Sequence, residues 1–114
     1  MDRAAVRERY LRDGLPIRLG GLATNLARVT SFSSHAATRD AVEDLLDESK
    51  FLIEWTAAEA DIDVAAELVE IQVQLACWQR KWEHIWSDPE QRMSMAEQTR
   101  IWSERVLEMS GLLR

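Results

Sequence analysis

Residues 63–86, DVAAELVEIQVQLACWQRKWEHIW, decide the fold. Val64, Leu68, Ile71, Leu75, Trp78, Trp82 and Ile85 recur at alternating steps of four and three, the period of one face of an α-helix. The spacing predicts a single helix over the whole stretch, packed along a neighbour. Its opposite side is also apolar, through Ala66, Val69, Val73 and Cys77, where a helix at the edge of a bundle carries charge. This helix, the fourth of the chain, is therefore expected to have neighbours on two sides.

Downstream, Ser87, Asp88, Pro89 and Glu90 read as a turn and restart. Ser87 and Glu90 stand at capping-box spacing, and proline is tolerated in a first turn. A fifth helix follows with Met95, Thr99, Trp102, Val106, Met109 and Leu113 inward, ending near Gly111. The short connection makes the fourth and fifth helices antiparallel neighbours.

Upstream, the third helix turns Val42, Leu45, Leu46, Leu52, Ile53 and Thr56 inward, with Thr38 able to cap it. Its acids crowd the first turns, where the helix dipole favours them. Before it, Ser31 to Ala37 reads as the interhelical loop. The second helix carries Leu15, Leu19, Leu22, Leu26 and Val29, and its phase passes Gly20 and Gly21 unchanged, which implies that a neighbouring backbone approaches closely there. Asp2 caps a short, peripheral first helix that Gly14 stops.

No stretch alternates with a period of two between turn residues, so no strand is expected. The pattern predicts an all-α protein, one domain over 1–114, built as an up-down four-helix bundle with an additional short N-terminal helix. In that topology Trp78, Trp82, Met95 and Phe32 share one end of the core.

The composition narrows the function. The formal charge of −6 argues against nucleic acid as a partner, since duplex binding requires many cations. The charge is uneven: residues 1–30 hold six arginines against Asp2, Glu8 and Asp13, a basic start suited to docking on acidic helices. Apolar runs are too short for a membrane span, and the N-terminus lacks the apolar core of a signal peptide, which points to the cytoplasm. The one cysteine, Cys77, forms no internal disulfide and no zinc site. No Glu-x-x-His motif supports a di-iron bundle, His35 and His84 stand alone, and no Ser, His and Asp constellation suggests nucleophilic catalysis. No cofactor is expected.

Two further groups of residues carry chemistry. Trp78, Trp82 and Trp86 lie at four-residue steps and could line an apolar or aromatic ligand site, with Trp86 the ring expected to be exposed. Glu43, Asp44 and Asp47, followed by Glu67 and Glu70, place carboxylates a helical turn apart on consecutive helices. This acidic stretch resembles the all-helical nucleotide pyrophosphatases of the MazG type, with their Glu-Glu-x-x-Glu and Glu-x-x-Asp motifs. Asp44 and Asp47 stand where that pattern has Glu, and Glu70 where it has Asp. The resemblance implies magnesium held by these acids and hydrolysis of a nucleoside triphosphate. Through RYLRDGLPIRLGGLATNLARV (9–29), FLIEWTAAE (51–59) and IWSERVLEMSGLL (101–113), the chain is also similar to a family of small all-helical proteins of cyanobacteria. That resemblance implies a soluble intracellular protein and brings no catalytic residues.

The leading expectation is a non-enzymatic helical module that binds another protein, and itself first of all. Symmetric pairing of the fourth helix would bury Ala66, Val69, Val73 and Cys77.

Overall fold

The fold is organised around the helix 15–32, which is buried along two flanks. The structure is a computed structural model that describes residues 2–112. It contains α1 (Arg3–Leu11), α2 (Leu15–Phe32), a 3-10 turn (Ala36–Thr38), α3 (Arg39–Ala57), α4 (Ile62–Arg80), α5 (Trp82–Ser87) and α6 (Pro89–Ser110). There is no strand among the described residues, so the chain is all-α.

Side-chain bonds fix how the helices run. Along α2 and α6, Thr30 Oγ1 donates to the Ala96 carbonyl at 3.1 Å, and Ser103 Oγ donates to the Ala23 carbonyl at 2.8 Å. Residue numbers fall on one helix as they rise on the other, so the two are antiparallel. On the other flank of α2, Asn25 Nδ2 donates to Glu48 at 3.2 Å and Arg18 to the Trp55 carbonyl at 3.3 Å, again antiparallel. Gln72 of α4 donates to the Lys50 carbonyl of α3 at 3.0 Å. Between α4 and α6 the link is made by long side chains: Arg105 grips Glu67 at 2.7 and 2.8 Å, and Trp78 packs on Trp102 with ring centroids 5.3 Å apart.

The inward stripes hold. Leu19, Leu22, Leu26, Val29, Val42, Leu46, Leu52, Ile53, Leu68, Ile71, Leu75, Met95 and Val106 are buried in one cluster. Each such side chain contributes roughly 1.5–3 kcal/mol relative to exposure. The helix α2 runs unbroken through Gly20 and Gly21, but the expected close approach of a neighbouring backbone is not found, since only side chains lie there. A Cβ on Gly20 would lie 2.9 Å from Leu112, and one on Gly21 would lie 3.7 Å from the Tyr10 ring.

Several expectations need correction. The fourth predicted helix does not run unbroken from 63 to 86. It breaks at Lys81 (φ −110, ψ 23), whose N–H is shared between the Cys77 and Trp78 carbonyls. Nothing in the sequence marks the break, since neither Gly nor Pro stands there. It divides a row of three indoles: Trp78 stays with α4 and meets Trp102, while Trp82 and Trp86 pair with each other at 5.3 Å on α5.

Capping also differs. Asp88, not Ser87, caps α6, accepting from the Glu90 N–H at 3.0 Å, while Ser87 Oγ bonds back to the Glu83 carbonyl. Thr38 holds the N-cap position of α3, but its side chain makes no capping bond, because its hydroxyl donates to the Phe32 and His35 carbonyls and closes the 3-10 turn. Gly14 stands before α2 as its N-cap, and α1 ends at Leu11 with Arg12 as its C-cap. Gly111, at φ 71, does end α6. Phe32 is 39% exposed and does not join the core. Leu113 lies outside the described residues.

Candidate interaction surface

The outer face of α4 follows from its sequence phase. Once Leu68, Ile71 and Leu75 point to the core, residues half a turn away must face out. Ala66 and Cys77 are exposed, Val69 is 44% and Val73 58% exposed, and Ile62 at the start of the helix is exposed as well. All four residues expected on this face therefore lie together on it. A shallow groove of about 340 Å³ runs beside them between α3 and α4, lined by Lys50, Phe51, Glu54, Gln72, Val73 and Ala76.

The first helix does not cover this face, because it packs on α3 instead. Arg3 lies 3.8 Å above the Phe51 ring and 3.3 Å from Asp47, and Tyr10 packs on Trp55 with centroids 6.0 Å apart. So α1 lies along α3, running parallel to it. The anchor is Tyr10, whose hydroxyl donates to the Arg18 carbonyl and sits 2.8 Å from Thr56 Oγ1. Burial pushes the Tyr10 pKa up.

Beneath that anchor sits Arg18, the one charged side chain buried among the described residues. Its Nε donates to the Asp13 carbonyl at 3.0 Å, and its Nη1 donates to the Trp55 carbonyl and to Glu59 at 2.6 Å. The guanidinium thus places a positive charge at the C-terminal end of α3, where the dipole favours it. The hydrogen bond from Arg18 holds the Glu59 carboxyl below its ordinary range. The basic start of the chain does dock on nearby acids, through Arg3 with Asp47 of α3 and Arg18 with Glu59 just past the end of that helix. Sequence reasoning placed Arg18 in that basic start but missed its burial; the signal was a cation at the stripe-side position next to Leu19.

At the tryptophan-rich end, Trp82 and Trp86 are buried. The expectation of an exposed Trp86 is wrong: it is 5% exposed, its Nε1 donates to the Ala36 carbonyl at 3.3 Å, and Arg92 lies 5.2 Å from its ring. The 3-10 turn covers it because Thr38 folds the preceding loop back. Trp78 is half-buried and borders a cleft of about 240 Å³ with Cys77, Lys81, Ile85 and Met95. The three indoles therefore do not line one site.

The acids are dispersed. Asp47 is taken by Arg3 at 3.3 Å and Lys50 at 3.8 Å, and Glu67 by Arg105. The hydrogen bond from Arg105 lowers the Glu67 pKa. Asp44 and Asp47 border a groove of about 280 Å³ under α1 with Phe51 and Trp55, while Glu70 is exposed on α4. Among the described residues no three of His, Cys, Asp or Glu come together as a metal site. Glu43, Asp44, Asp47, Glu67 and Glu70 are thus not gathered into the arrangement that the pyrophosphatase resemblance implies. No described helix is long and apolar enough to cross a membrane.

No protein-family model matches the chain, and no curated protein or solved structure matches it. The functional reading therefore rests on the surface itself. Its distinguishing feature is the row of exposed small and apolar residues on α4, which no other described element covers.

Proposed function

We propose that this chain is a non-enzymatic protein–protein interaction module that self-associates through the outer face of α4, and that it works in the cytoplasm. The observation that carries the reading is the exposed row Ala66, Val69, Val73 and Cys77 on a helix whose other side is core. Four exposed small and apolar residues on one helix face are what a helix-packing partner buries. In this reading α2, α3, α4 and α6 act as an up-down four-helix frame, and α1 is an accessory that stiffens α3. The frame holds the α4 face rigid, so little order is lost on binding.

Mass in solution tests the proposal. A species of twice the 13.1 kDa chain mass at micromolar concentration is expected, and a clean monomer would remove the self-association.

A further inference from the structure

We infer that a second copy lies antiparallel across α4, with the twofold axis at the level of residue 71. The inference rests on the interaction reading above and adds the geometry of the pair.

The seam is Ile62, Ala66, Val69, Val73, Ala76 and Arg80, at steps of four, three, four, three and four, all exposed except Ala76, which is half-buried at the edge of the groove between α3 and α4. That order reads the same from either end. Laid antiparallel about residue 71, Val69 meets Val73 of the partner subunit, Ala66 meets Ala76 of the partner subunit, and Ile62 lies under the stem of Arg80 of the partner subunit. Alanines at the intermediate layers let the two backbones approach, and the apolar stem of an arginine can cover an isoleucine.

Charge selects the direction. Asp61 and Asp63 stand exposed at the start of α4, and Arg80 and Lys81 stand exposed at its end. None of the four makes an ion pair among the described residues, although every α-helix carries such a pair, α4 included through Glu67. Asp61 holds the N-cap position, yet its side chain makes no capping bond. An antiparallel copy brings Asp61 and Asp63 onto Arg80 and Lys81 of the partner subunit at both ends of the seam. It also opposes the two helix dipoles. A parallel copy would set acid on acid and base on base.

Cysteine cross-linking reads the register. In the antiparallel pair the two Cys77 residues are separated by about 18 Å along the helices, too far for a short bis-maleimide. Residue 66 of one subunit lies within about 1.5 Å, along the axis, of Cys77 in the other. The wild type should therefore sediment as a dimer that does not cross-link. Ala66→Cys should cross-link between subunits, and Ala66→Cys with Cys77→Ser should not. Independently, Arg80→Glu with Lys81→Glu should weaken the dimer roughly tenfold, and adding Asp61→Lys and Asp63→Lys should restore it. A dimer that cross-links through Cys77 alone, or one indifferent to the charge swap, overturns the antiparallel geometry and leaves self-association standing. A wild-type monomer overturns both.

Discussion

Replacing Arg18 with methionine tests the account of how the N-terminal third is held. The substitution keeps much of the buried stem but removes the guanidinium, leaving the carbonyls of Asp13 and Trp55 without their donor. A hydrogen bond from a charged donor is worth about 1.5–3 kcal/mol net. The Trp55 bond, at 3.3 Å, is the longer of the two. Methionine also returns some apolar contact, so the expected cost is about 2–4 kcal/mol. For a domain of this size that lowers the melting temperature on the order of 10–20 °C. The assay is thermal and urea unfolding followed by tryptophan fluorescence, at one fixed protein concentration because self-association shifts the midpoint. Glu59→Gln is the control. Its side chain is 56% exposed, so it should cost much less than the loss of Arg18. A cost below about 1 kcal/mol for Arg18→Met would refute the capping role, and so would an equal cost for Glu59→Gln, which would locate the effect in the ion pair.

Gly21→Ala should stabilise the protein by about 0.5–1 kcal/mol, because the new Cβ meets Tyr10 at ordinary contact distance, 3.7 Å; a lower urea midpoint would count against the helical packing described there. Stability should also fall in acid. The hydrogen bond from Arg105 keeps the Glu67 pKa below its ordinary value of 4.5. The native state therefore binds the proton less readily than the unfolded chain, and the contribution is complete above that value and lost as the pH falls below it. Melting temperatures measured between neutral pH and pH about 3 should drop less steeply for Glu67→Gln than for the wild type, and equal slopes would remove Glu67 from the account.

The stripes that were legible in the sequence are those whose partners are simple. Leu68, Ile71 and Leu75 repeat at the helical period because one continuous core faces them, and Val42, Leu46 and Ile53 do the same. The phase of α2 through Gly20 and Gly21 correctly implied an unbroken helix, but the close approach of a neighbouring backbone was wrong: only the side chains of Leu112 and Tyr10 lie there. Three features were hidden, each for a tertiary reason. The break at Lys81 follows from where three large indoles find room, which depends on α6 and the 3-10 turn. The burial of Arg18 depends on the end of α3 arriving beside it from 37 residues away. Trp86 is covered because Thr38 turns its hydroxyl back to the Phe32 and His35 carbonyls instead of capping α3. On the candidate face the reverse holds. Ala66, Val69, Val73 and Cys77 were legible as a second apolar row because nothing inside the fold competes for them.

The central claim is that this row is a contact surface for a second copy. Sedimentation equilibrium of the wild type and of a Val69→Glu, Val73→Glu variant tests it most directly. Val69 is 44% and Val73 58% exposed in the single chain, so the variant should keep its helical circular dichroism. The account predicts twice 13.1 kDa for the wild type at micromolar concentration and 13.1 kDa for the variant; a wild type at the single-chain mass, or a variant that stays dimeric, would contradict it.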